Sequence, residues 1–254
     1  QQSEGVQRAV KRQESYWLKV FKGEIPALHL PIDYPRPMQK TYEGNSLPFK
    51  IAKKETAALK ALALETNNTL FTVLLAIYNI LLAKISRQED IIIGVPAAGR
   101  NHPGLDNIIG MFVNTLVMRN FPSSELVFED FLNQVKQRTL EVFENQDYQF
   151  EDLVDKLATP RDTGRNPLFD VMFALQNMEM SSLEIPGLNV NPQPIKSTVS
   201  RFDMTVIGVE SGEKIIFSVE YCTKLFKLET VVRLFGYFNR VIGTLLENRE
   251  KSIA

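Results

Sequence analysis

Asp90-Ile91-Ile92-Ile93-Gly94-Val95-Pro96 and Met111-Phe112-Val113-Asn114-Thr115-Leu116-Val117-Met118-Arg119 are two short apolar runs joined by a loop. The first is β-branched without interruption and reads as a core strand ended by Pro96. The second alternates apolar and polar residues near its end, as a strand with one wetter face does. Between them, residues 97–107 carry Gly99, Pro103 and Gly104 and read as loop. Helical patterns bracket the pair. Residues 70–86 are apolar nearly all round, with Thr69 placed to cap them, which is the pattern of a buried helix. Residues 128–145 are amphipathic, with Phe131, Val135, Leu140 and Phe143 on the apolar face. Strands and helices mix without strict βαβ alternation. The fold class that follows is α/β (α+β), a mixed β-sheet packed with helices.

The same reading extends to both ends. Residues 6–21 form a helix with Tyr16, Trp17 and Val20 on one face. Pro26, Pro31, Pro35 and Pro37 then fix an extended crossing segment, because each proline locks φ and removes a donor. Residues 49–51 read as a short strand and 54–65 as a helix broken by Asn67-Asn68. Downstream come a short helix at 150–157, a strand at 169–175 and a polar excursion at 181–194. Residues 204–209 and 214–221 form a hairpin around Ser211-Gly212-Glu213, and 228–246 a closing helix. No internal repeat or low-complexity linker interrupts residues 1–254, so a single lobe is expected.

Composition narrows the function. The formal net charge is -1 with no long basic block, which argues against a nucleic-acid surface. The longest apolar stretch, 70–85, contains Thr72, Asn79 and Lys84 and is shorter than the ~20 residues of a bilayer span, so no membrane is expected. A lone Cys222 forms no internal disulfide, fits a reducing cytoplasm, and sits at the end of an apolar run as a buried, inert thiol. The only histidines are His29 and His102, so no metal ligand set and no hydrolase triad is present. The glycines after the first strand match no phosphate-binding pattern. The first residue is Gln1, and the chain reads as cut from something longer.

Several polar residues stand out. Arg119, Arg161, Asp162 and Arg165 form either surface ion pairs, which contribute little, or a buried bidentate pair that fixes a loop. Asp162-Thr163-Gly164 is turn chemistry. Asn114 sits in a core-like strand and needs hydrogen bonds, to a site or to backbone. Asp147 and Glu151, four apart, suit acid–base work or, more simply, capping of the helix that follows.

Three of these stretches carry a resemblance. Ile109-Gly110-x-Phe112-Val113-Asn114-Thr115-x-x-x-Arg119 is similar to the I-G-x-F-V-N-T-x-x-x-R motif of condensation domains of nonribosomal peptide synthetases. Asp147-Tyr148-Gln149-Phe150-Glu151 resembles their H/N-x-D-x-P-F-E motif, with Gln149 in place of proline. Arg161-Asp162-x-Gly164-Arg165-Asn166-Pro167-Leu168-Phe169 resembles R-D-x-S-R-x-P-L-F, with Gly164 in place of serine. Tyr16-Trp17, the 28–37 segment, Phe202-Asp203-Met204 and Tyr221-x-Thr223-x-Leu225-Phe226 agree with the same family.

The resemblance implies one lobe, the C-terminal one, of a chloramphenicol acetyltransferase-like fold. It implies amide formation between a donor acyl or peptidyl thioester and an acceptor aminoacyl thioester. Phosphopantetheine, carried by partner carrier domains, holds both substrates, and no cofactor binds directly. The family's catalytic His-His-x-x-x-Asp-Gly motif belongs to the other lobe and does not occur in this sequence, so no catalytic residue is expected here. Asn114, Gly110 and Phe112 are placed at the substrate tunnel, and Arg119, Arg161, Asp162 and Arg165 in a structural motif. Residues 97–110 resemble the floor loop and 176–200 the latch. The implied partners are the N-terminal lobe, donor and acceptor carrier domains and an adjacent adenylation domain. Alternatives are an epimerization-domain lobe, which the sequence Phe173-Ala174-Leu175-Gln176-Asn177 disfavours, and a noncatalytic carrier-docking module.

Overall fold

The computed structural model describes residues 4–100, 103–105, 108–157, 162–176 and 197–253. Among these, the helices are α1 (Glu4–Val20), α2 (Lys53–Glu65), α3 (Leu70–Ser86), α4 (Phe128–Glu144), α5 (Phe150–Leu157) and α6 (Leu228–Glu247). The strands are β1 (Gly44–Ile51), β2 (Ile91–Ala97), β3 (Asn114–Asn120), β4 (Val171–Gln176), β5 (Met204–Ser211) and β6 (Lys214–Cys222). They form one sheet in the order β1-β6-β5-β4-β2-β3. β4 is parallel to β5 and to β2, and the other neighbours are antiparallel.

α3 is the spine of the helical layer. Thr69 accepts the Thr72 N–H at 3.1 Å, satisfying one donor that the first turn leaves free. Residues 72–82 are all buried. Arg87 ends the helix in the left-handed region, at φ 57°. α2, α4 and α6 pack beside α3 over the same face of the sheet. No single helix among the described residues is long and apolar enough to cross a membrane, and α3 owes its uniform apolarity to burial on all sides.

The faces of the sheet follow from one contact. Phe173 of β4 stacks on Tyr78 of α3 at 5.5 Å. Side chains alternate, so Met172, and Gly94 paired with it, face the other way. There the Phe169 ring lies against Gly94, where an added Cβ would meet it at 2.3 Å. Glycine at position 94 is therefore a close-packing requirement.

The Pro-rich segment is ordered by what it docks on. Leu28 and Leu30 are buried. Asp33 accepts the Lys227 N–H at 2.8 Å and the Thr230 hydroxyl at 2.9 Å, capping α6, whose own N-cap residue contributes no side-chain bond. The Lys227 amide, first among these contacts, holds the Asp33 carboxyl below its ordinary range.

Four sequence expectations need correction. The strand expected at 49–51 begins at Gly44 and includes Pro48, which an edge strand tolerates. β2 continues through Pro96 to Ala97, beyond the point where β4 pairs with it, so the missing donor falls outside the three-strand region. β3 begins at Asn114, and residues 111–113 precede it as loop. Leu140 is half-exposed, and Leu132, Thr139 and Val142 complete the buried face of α4 instead. Of the expected latch, residues 177–196 lie outside the described residues. Residues 198–200 pair with residues 42–44 at the entry to β1, where the Gly44 N–H donates to Thr198 O at 2.8 Å and the Ser200 N–H to Tyr42 O at 2.9 Å.

Candidate functional site

Asn114 opens β3 with a buried side chain whose amide is fully used. Its Nδ2 donates to Gln146 O and Tyr148 O, both at 2.8 Å. Its Oδ1 accepts the Thr115 N–H at 2.8 Å and the Phe150 N–H at 3.2 Å. One side chain thus ties the turn between α4 and α5 to the sheet and satisfies the first turn of α5. Asp147, in the same turn, meets Gln13 of α1 at 3.4 Å. Trp17 adds a second tie, donating its indole N–H to Asn145 O at 3.0 Å. Asn114→Ala removes the side-chain partner of two carbonyls and two N–H groups, and is expected to lower unfolding free energy by roughly 2–3 kcal/mol in urea titrations. Asn114→Asp should do no better, because a carboxylate oxygen would then face two carbonyls.

Gly110 and Phe112 stand in the loop before Asn114. Gly110 is exposed, with an added Cβ reaching the Phe112 ring at 3.1 Å. Phe112 is half-buried. Around them Ile109 is fully exposed and Met111 is 93% exposed. Residues 101, 102, 106 and 107 of the expected floor loop lie outside the described residues, His102 among them.

The arginines are partnered from other parts of the chain. Arg119 grips Asp90 with two bonds, at 3.0 and 2.6 Å, and also donates to Val20 O at 3.1 Å and Glu24 O at 2.7 Å. Its side chain is only 8% exposed. This is the buried, loop-fixing alternative, and it pins the end of α1 to the sheet. Arg165 bonds Asp170 and donates to Leu28 O at 3.2 Å. Asp162 accepts the Gly164 N–H at 2.8 Å in a local turn and stays largely exposed. Arg161 lies outside the described residues. A third pair joins them: Arg36 bonds both oxygens of Asp203 and also donates to Gly164 O at 3.3 Å.

Arg36–Asp203 and Arg165–Asp170 form one buried network. Asp203 N–H donates to Asp170 O at 2.9 Å, so the acids are backbone neighbours. Asp170 is 3% exposed, and its Oδ1 has no hydrogen-bond partner. Burial first, then the Asp203 carboxylate, push the Asp170 carboxyl up to about 6 against the pull of Arg165 and Arg36. Between the ordinary 3.8 and about 6, folded Asp170 keeps a proton that the unfolded chain has released. The penalty is absent below that window and complete above it, so this group makes stability fall as pH rises through it. In Asp170→Asn this component should vanish. Denaturation across the window should show the variant gaining on the parent, on the order of 3 kcal/mol, as pH rises. A constant difference between the two proteins would refute the assignment.

Beside the network lies a cleft of about 650 Å³. Ile25, Leu28, Ile92, Val154 and Phe169 supply its apolar walls, and Asp90 and Arg165 reach its edge. Among the described residues no cluster of three metal-ligating side chains exists. His29 is exposed in the crossing segment. These residues position backbone, and no nucleophile–base pair is assembled among them. The local sequence did not reveal Asp90, Asp170, Asp203 and Arg36 as partners. The one available signal was Arg36 held between two prolines, a cation in a segment too rigid to leave its site.

A family model for the condensation domain matches residues 1–254. Bacitracin synthase 3 of Bacillus licheniformis is 48% identical over 244 residues, which is 96% of this chain and 4% of that protein. Gramicidin S synthase 2 of Brevibacillus brevis is 47% identical over 248 residues, which is 97% of this chain and 6% of that protein. The chain therefore spans only a small part of these curated relatives. Among solved structures, a four-domain nonribosomal peptide synthetase bound to AMP and glycine gives a TM-score of 0.89 at 23% identity, over 95% of this chain and 20% of that one. The X-domain from teicoplanin biosynthesis gives 0.89 at 20% identity, over 96% of this chain and 56% of that one. At these identities the likeness is one of fold.

Proposed function

Since this chain belongs to the condensation-domain family, we propose that it forms the C-terminal lobe of a domain that makes amide bonds in a nonribosomal peptide synthetase. The observation that carries the lobe reading is coverage. The chain is matched over 96% of its length, yet accounts for 56% of the X-domain chain. The sequence agrees, since it contains no adjacent histidines and hence no His-His-x-x-x-Asp-Gly.

In this reading the N-terminal lobe supplies the catalytic histidine. The donor acyl or peptidyl group and the acceptor aminoacyl group arrive as thioesters on phosphopantetheine arms of two carrier domains. The acceptor amine attacks the donor thioester carbonyl, the C–N bond forms, and the donor thiol leaves. This lobe supplies one wall of the tunnel, bordered by Gly110, Phe112 and Asn114. Asn114 acts there through the turn it holds, since its polar atoms are already bonded within the lobe. Arg119, Asp162 and Arg165 are structural, each holding a loop or turn rather than touching substrate. An adenylation domain is the neighbouring partner, and the cytoplasm is the compartment.

The test is complementation. This chain is mixed with a separately produced N-terminal lobe carrying the histidine motif and with loaded donor and acceptor carrier proteins. Dipeptidyl thioester should appear by mass spectrometry from the mixture and from neither lobe alone. If the lobes associate, with native donor and acceptor, and no product forms, the reading fails and a carrier-docking role replaces it.

A further inference from the structure

Arg100 has an unusual placement for a surface-loop cation. Its Nη1 donates to Leu105 O and its Nη2 to Ile108 O at 2.9 Å. Its guanidinium lies 4.4 Å over the Phe112 ring. Leu105 O also accepts the Ile108 N–H at 3.2 Å. The preceding Gly99 sits at φ 64°, and a Cβ there would lie 1.9 Å from Phe112 O. The Gly99 backbone therefore lies against the Phe112 carbonyl, and Arg100 covers the ring of the same residue. Outside, Ile108, Ile109, Met111 and Val113 are all exposed, and no charge occurs from 108 to 113. An apolar loop in water has every reason to collapse onto itself. A planar fork that holds two carbonyls and stacks on a ring at once opposes that collapse, and lysine cannot make the same set of contacts.

We propose that Arg100 is a positioning residue: it ties Leu105 and Ile108 to the Phe112 ring and so sets Gly110 and Phe112 at the tunnel border. The inference rests on the reading of this chain as a condensation lobe. It assigns to Arg100 no contact with substrate.

The test uses Arg100→Lys, which keeps the charge, and Arg100→Met, which keeps most of the stem. In this chain alone, hydrogen exchange at the Ile108 amide should quicken about tenfold or more in both variants, as expected when charged hydrogen bonds are lost. Tm should move by no more than about 2 °C, because the loop lies outside the core. In the mixed-lobe assay, kcat should fall about tenfold or more while KM for the acceptor carrier stays within roughly threefold, the mark of lost transition-state positioning. Unchanged exchange in both variants overturns the clamp whatever the assay gives. Faster exchange with unaltered turnover overturns the positioning role. An inert parent mixture, with the exchange effect intact, overturns the condensation reading instead.

Discussion

Asp203→Ala is expected to destabilise the fold by about 3–5 kcal/mol, because it leaves the Arg36 guanidinium buried without its counter-charge. The two side chains are 15% and 7% exposed, and both Asp203 oxygens are engaged by the fork. The acid also stands where three chain segments meet. Its N–H bonds Asp170 O, and its carbonyl accepts the Cys222 N–H at 3.0 Å. Urea titration should show a shifted midpoint at nearly constant slope. Replacing the pair together, as Arg36→Met with Asp203→Leu, should cost much less than the single change, because no charge is then left buried. A single change with no larger effect than the double would refute this account. A linked effect is expected at Asp170: with the Asp203 charge gone, its carboxyl should titrate below about 6.

Phe238→Ala should be comparably severe, at about 3–5 kcal/mol, for a reason unrelated to charge. The ring is fully buried on α6 and meets four others, three of them from other elements. Phe49 of β1 and Tyr78 of α3 lie at 6.2 Å, and Phe217 of β6 and Phe235 of α6 at 6.1 Å. The sheet and two helices fix these neighbours, so the space cannot close, and the cavity adds to the lost transfer free energy. Phe238→Leu, which keeps most of the volume, should cost under about 1.5 kcal/mol. Equal losses for alanine and leucine would show that the site collapses freely.

Much of the fold was legible because its signals are local. The β-branched run at 90–95, the all-round apolar run at 70–86 and the turn at 211–213 each carry their period and their stop within a few residues. The start of β1 was not legible, since Gly44-Asn45-Ser46-Leu47-Pro48 has neither alternation nor β-branching and becomes a strand only because β6 pairs with it. Sheet order was hidden for the same reason. At the site, local chemistry marked Asn114, Arg119 and Arg165 as residues needing partners. It could not supply the partners. Asp90 lies about thirty residues before Arg119, and Arg36 finds Asp203 from the other end of the chain. The 28–37 segment and Phe202-Asp203-Met204, far apart in sequence, are in space the two halves of one ion pair, Arg36–Asp203.

The strand order has a consequence during synthesis. β1 is made early, yet the strand it pairs with along its length, β6, is made late, with Ile51 opposite Ile215 and Gly44 opposite Cys222. At roughly 5–20 residues per second, the ribosome leaves β1 without that partner for on the order of ten seconds or more. During this wait the strand is exposed to neighbouring nascent chains. Pro48 withholds a donor and Lys50 adds a charge, two features that make a waiting strand a poor template for aggregation.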